Sequence, residues 1–205
     1  MPRSPKRRLK LGLVCTLGPQ RLVELFARLE KALPDFEVSL TEAKARDVLE
    51  QLLAEDIDVA VSCQPNYPEE VAVMPLFRER YVIAFAKGHR FEEIDEVALD
   101  ELIGENYVER LNCEFDDYFT AHFGERPLHL NVRYSSERED WVQAMILSGL
   151  GVAFVPEFLP LLPGILTRPV VQPELSREIA VLTMRGRPRS SVADIFVRLA
   201  SAHKW

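Results

Sequence analysis

The sequence predicts an α/β protein folded as two lobes, and three observations predict it. The chain opens on a nearly continuous apolar run at residues 9–17, the pattern of a strand covered on both faces in a parallel sheet. Strand-like and helix-like periods then alternate through Cys63, as in successive βαβ units. A second, shorter series of strands and helices begins after Lys87 and ends near Pro163. The expected division is a basic tail or linker remnant at residues 1–8, a first lobe from residues 9–86 plus 164–205, and a second lobe from residues 87–163.

Each element follows from local pattern. Gly18 and Pro19 turn the chain after the first strand, and Leu22, Leu25, Phe26, Leu29 and Leu33 recur at helical spacing until Pro34. Residues 36–40 alternate as a second strand. Ala45, Val48, Leu49, Leu52 and Leu53 form one face of a second helix, and residues 57–61 form a third strand that stops at Ser62 and Cys63. Two strand runs, 71–77 and 81–86, flank the charged link Arg78-Glu79-Arg80. In the second lobe, residues 99–103 read as a helical turn, 107–111 as a strand, and 115–123 as a helix with Gly124 past its end. Residues 128–134 read as a strand, and Ser135-Ser136 as the opening of a helix that carries Trp141, Val142, Met145 and Ile146 on one face. Residues 151–155 form a strand ending at Pro156. Two more strands, 165–171 and 179–184, precede a last helix with Val192, Ile195, Phe196 and Leu199.

Apolar residues make up 47% of the 205 and charged residues 28%, the balance of an ordinary globular protein. The net charge of -7 argues against nucleic-acid binding by this chain itself. Arg3, Lys6, Arg7, Arg8 and Lys10 are an exception that reads as a solvated tail. No signal peptide is evident, and Pro156, Glu157, Pro160 and Pro163 break the most apolar region, so no membrane span is expected. Three cysteines without an export signal point to thiols in a reducing cytoplasm.

Four stretches stand in order: the opening strand with its turn and helix, LLAEDIDVAVSC (52–63), MPLFRERYVIAFAKGHRF (74–91) and AMILSGLGVAFVPE (144–157). Together they resemble the effector-binding (substrate-binding) domain of LysR-type transcriptional regulators. The resemblance spans residues 9 to 200. It implies a type II periplasmic-binding-protein-like fold with a small-molecule cleft between the lobes. It implies a sensing domain that binds a small, anionic effector and is not an enzyme. It also implies a homodimer, with tetramers in the full regulator. DNA would be bound only through an N-terminal winged helix-turn-helix that this chain lacks, so the sequence is either part of a longer regulator or a stand-alone sensor.

Carried over by position, the implied ligand contacts are Cys15, Thr16 and Leu17 after the first strand, Thr41 after the second, and Ser62 and Cys63 after the third. In the second lobe they are Asn112, Cys113, Ser135 and Ser136. Hydroxyls and N–H groups at helix starts suit an anion. Glu42, next to Thr41, would repel one if it faced the cleft. The implied dimer contacts are Leu22, Phe26 and Leu29 on the first helix, with Trp141 and Met145 on the later one.

The cysteines carry three readings: small buried hydrophobes, a thiol redox switch, or a soft-metal site. Cys15 and Cys63 end strands that should be neighbours, yet no CxxC or CxxxH spacing supports a metal. His89, His122, His129 and His203 form no HxxxH pair. No GxxxxGK[ST], GxSxG or HExxH sequence occurs, so no cofactor, metal or catalytic group is expected. A stand-alone small-molecule binding protein and an enzyme on the same fold remain as alternatives.

Overall fold

The computed structural model of the chain describes residues 7–115, 117–119 and 130–205. The first six residues of the basic tail, much of the helix expected at 115–123, and the start of the strand expected at 128–134 lie outside the described residues, as do His122 and His129. The chain forms two compact units, one of residues 7–78 with Glu178–Trp205, the other Glu79–Arg177.

In the first unit, β1 (Arg7–Val14) lies between β2 (Phe36–Ala43) and β3 (Val59–Ser62), parallel to both. The sheet order is β2-β1-β3-β10-β4, with β10 (Ser176–Met184) antiparallel to β3 and β4 spanning Val71–Ala86. Helices α1 (Gln20–Ala32), α2 (Ala45–Leu53) and α4 (Ser191–Ser201) belong to the same unit. Leu22, Leu25 and Leu29 form the buried stripe of α1, and Phe26 stacks on Phe196 of α4 with ring centroids 6.3 Å apart. Each fully buried leucine contributes roughly 1.5–3 kcal/mol. The helix ends at Leu33, which is extended because Pro34 disfavours helical backbone before it. Arg7 and Arg8, assigned to the tail by sequence, open β1, and Arg8 pairs with Glu37 of β2 at 3.4 Å.

In the second unit, the later half of β4 pairs antiparallel with β8 (Ala153–Pro156) and β9 (Ile165–Val171). The short β5 (Val97–Ala98) pairs with β9, and β6 (Asn106–Arg110) pairs with β7 (Asn131–Ser136) in a parallel ribbon beside α3 (Glu139–Leu147). Phe115 stacks on Phe154 at 4.1 Å in the core. Residues 79–86 and 164–177, assigned to the first lobe by sequence, stand in this unit because β9 pairs along the later half of β4.

Three element readings need correction. The runs 71–77 and 81–86 are one strand, because strand alternation sends Glu79 inward to a buried partner while Arg78 and Arg80 point outward. The second strand continues past residue 40 to Ala43, in unbroken register with β1. Ser135 and Ser136 end β7 instead of opening a helix, since the β6–β7 ladder runs on to the pairing of Arg110 with Ser136.

Candidate functional site

The predicted site residues gather at the carboxyl ends of strands, in one cluster per unit. In the first unit Cys15, Thr16 and Leu17 occupy the turn from β1 to α1. The Leu17 N–H donates to the Val14 carbonyl at 3.0 Å, and the Cys15 N–H to Ala43 at 2.9 Å. Leu13 pairs with Val61, and Cys15 and Cys63 each lie two residues beyond that pair, past the ends of neighbouring strands. Neither cysteine is in a disulfide. Thr16 is 2% exposed, and Ser62 and Cys63 are 0% exposed. The Ser62 hydroxyl has no hydrogen-bond partner among the described residues, nor has that of Tyr67 on the loop that follows. Burial, and after it Cys63, pushes the Tyr67 phenol well above its ordinary pKa. A buried unpartnered hydroxyl costs about 1–3 kcal/mol, and two so close in sequence, one at the end of β3 and one on the loop after it, call for a cause beyond packing.

The start of α1 adds positive potential to this cluster. Pro19 caps it without a side-chain hydrogen bond, and its first turn holds no acidic residue to offset the helix dipole, although the Arg21, Leu22 and Val23 N–H groups bond the Gly18 and Pro19 carbonyls. Thr41 stands apart from the other residues. It lies inside β2 opposite Gly12 and is exposed.

In the second unit the Leu111 N–H donates to the Ser136 carbonyl at 3.0 Å and the Asn112 amide to the Glu137 carbonyl at 2.6 Å. The ladder pairs Glu109 with Ser135, so Asn112, Ser135 and Ser136 come together at one strand end. Ser136 Oγ accepts from the Arg138 N–H at 3.0 Å. The Cys113 sulfur accepts from Arg110 Nη1 at 3.3 Å. Burial, and next the Glu114 carboxylate, pushes the Cys113 thiol up to about 12, while Arg110 opposes them. Such a thiol is protonated at neutral pH and is a poor nucleophile.

Sequence reasoning missed a buried charge network beside Cys113. Arg177, 1% exposed, donates through Nε at 2.9 Å and Nη2 at 2.7 Å to Glu79 Oε1, and through Nη1 to Glu114. Tyr81 OH donates to the same Glu114 oxygen at 2.7 Å, and the Phe158 N–H donates to Glu79 Oε2 at 3.2 Å. Burial works against the Glu114 charge, but Arg177 and the Tyr81 hydrogen bond outweigh it and hold the carboxyl below the usual range. Arg110 donates to Glu139 at 3.0 and 2.7 Å. Burial disfavours its charge, but Cys113 and Glu139 overcome this and raise its pKa. No local pattern marks these residues, because Arg78-Glu79-Arg80 reads as solvated and its partner lies 98 positions away.

Leu22 and Leu29, predicted dimer contacts, are 2% and 0% exposed and belong to the unit's own core. The exposed large apolar residue of α1 is Val23, 59% exposed, and Phe26 is half-buried. Trp141 is 57% exposed and Met145 half-buried. Among the described residues no group of three or more His, Cys, Asp or Glu could hold a metal. None of their helices is long and apolar enough to cross a membrane.

A family model described as the LysR substrate binding domain matches residues 2–205. The chain is 29% identical, over 95% of its length, to a hydrogen peroxide-inducible genes activator of Haemophilus influenzae, and covers 65% of that protein. It is 25% identical over 89% of its length to the DNA-binding transcriptional dual regulator OxyR of Escherichia coli, covering 62% of it. It therefore spans about three fifths to two thirds of these relatives. Among solved structures it resembles the effector binding domain of QuiR in complex with shikimate. The TM-score there is 0.84 at 16% identity, covering 97% of each chain. The reduced form of OxyR gives a TM-score of 0.78 at 22% identity, covering 96% of this chain and 95% of that one. These likenesses show the type II periplasmic-binding-protein-like α/β fold.

Proposed function

The chain belongs to the LysR substrate-binding-domain family, and from that premise we propose that it is the ligand-sensing domain of a cytoplasmic transcriptional regulator. It binds a small anionic effector and passes the signal to a DNA-binding domain outside this chain, without catalysing a reaction. Its candidate effector contacts form two clusters, each within its own unit: the β1–α1 turn with Ser62 and Cys63 in the first, and Asn112, Cys113, Ser135 and Ser136 in the second. The orphaned Ser62 hydroxyl is the observation that carries the reading, because a bound polar ligand would supply the partner it lacks. The dipole of α1, with no acidic residue in its first turn, favours negative charge at the same strand ends.

Ser62→Ala separates this role from a structural one. It removes an unsatisfied group, so the unliganded protein should be as stable as the wild type or more stable by about 1 kcal/mol. Affinity for the effector, read by titration calorimetry, should fall at least tenfold. Lower stability with unchanged affinity would mean that Ser62 serves only the core.

A thiol-sensing reading draws support from the peroxide-inducible activator among the relatives. The elevated Cys113 pKa and the complete burial of Cys63 weigh against it.

The regulator works as a homodimer, with Val23 of α1 and Trp141 of α3 as the apolar residues offered to a partner. Trp141→Glu should shift the sedimenting species from dimer to monomer with an unchanged melting temperature of the fold. A dimer that survives the substitution excludes this face.

A further inference from the structure

The division of the chain falls between Arg78 and Glu79 on β4, and between Arg177 and Glu178 on β10. Both strands are tied to each other on each side of that step, with the signs exchanged. On the first unit's side Arg78 Nε donates to Glu178 at 3.3 Å, near the surface. On the second unit's side Arg177 holds Glu79, and both are buried. The same guanidinium uses its remaining terminal nitrogen on Glu114, which follows directly on Asn112 and Cys113. Tyr81, two residues past Glu79 on β4, donates to that carboxylate as well. The two crossing strands and the segment after β6 thus converge on one buried cation.

We propose that Arg177 and Glu114 are positioning residues that couple the Asn112–Cys113 segment to the crossing strands β4 and β10. The proposal deepens the effector reading given above and rests on it for the role of Asn112 and Cys113. The guanidinium is planar and its donors are fixed in one fork. A displacement of Glu114 that keeps its bond must therefore rotate the fork, and two of the fork's further bonds hold Glu79. Releasing Glu114 instead would leave a buried carboxylate short of its cation, which is the costlier outcome. A shift of the segment on binding is in this way felt at the Tyr81 amide, bonded to the Leu175 carbonyl at 2.8 Å, and at Phe158, whose N–H is held by Glu79.

Hydrogen exchange on the whole unliganded chain tests the coupling, with Glu114→Gln, which keeps the shape and removes the charge. The amides of Tyr81 and Phe158 should exchange at least fivefold faster, together with that of Cys113, while that of Leu33 in the first unit stays at its wild-type rate. Faster exchange confined to residues 110–119 overturns the proposal. So does a uniform rise that includes Leu33, which would mark Glu114 as merely structural. A second readout is the alkylation of Cys113 followed by peptide mass spectrometry. Its rate at pH 9 should rise at least threefold in Glu114→Gln and return toward wild type in Glu114→Asp, and an unchanged rate also counts against the proposal. No effector enters either experiment, so their failure is distinct from failure of the sensing reading.

Discussion

Replacing Arg177 with methionine is expected to cost about 3–5 kcal/mol, because it strands two carboxylates in the interior. For a chain of this size that lowers the melting temperature by roughly 6–20 °C. The side chain is nearly isosteric, so lost packing is a minor part of the effect. Converting Glu79 and Glu114 to glutamine in the same molecule removes the stranded charges and should recover most of the loss. The pH dependence has a definite sign. The Glu114 carboxyl is held below its ordinary value in the folded state. Its contribution is therefore complete above the usual carboxylate range and disappears as the pH falls through the folded value. The stability gap between the wild type and the triple variant should narrow in acid. A single Arg177→Met variant that melts within about 2 °C of the wild type would remove the network from any account of this fold.

Gly151→Val should destabilise by about 2–3 kcal/mol, through overpacking against backbone. A Cβ at Gly151 would meet the Asn106 carbonyl oxygen at 2.6 Å and Val108 Cγ2 at 3.2 Å. That carbonyl is committed, since it accepts the Val152 N–H at 2.8 Å and so fixes the chain before β8 against β6. Gly12 offers the contrasting case. Its added Cβ would meet Ile57 Cδ1, the far end of a flexible side chain that can turn away. Chemical denaturation of Gly151→Val and Gly12→Ala should rank Gly151→Val as clearly the worse, and equal losses would mean that the Asn106 carbonyl yields as readily as a side chain.

Periodicity read from the sequence places the helices and the parallel opening well, because those signals are local. Leu22, Leu25 and Leu29 mark the buried stripe of α1 with no tertiary information, and the apolar run of β1 marks a strand covered on both faces. The site is legible only where it follows from strand ends. Ser62 ends β3 and Cys63 follows it, while Thr41 sits within β2 because register with β1 decides where a strand stops. Opposite errors arise from reading charge and apolarity one residue at a time. Glu79 looks solvent-facing and is buried, because its partner Arg177 comes from the distant end of the chain. Leu22 and Leu29 look available for a dimer and are consumed by the monomer's own core.

The central claim, a domain that senses a small anion and not an oxidant, is tested most directly by a thermal-shift panel. It would hold small carboxylates, amino acids, sugar phosphates and hydrogen peroxide, each with and without reductant. A ligand at 100 times its dissociation constant adds about 2.7 kcal/mol, a rise of roughly 5–10 °C for a chain this long. One class of anion should give such a rise, unchanged by reductant. A shift with peroxide alone, abolished by reductant and by Cys113→Ser, would contradict it.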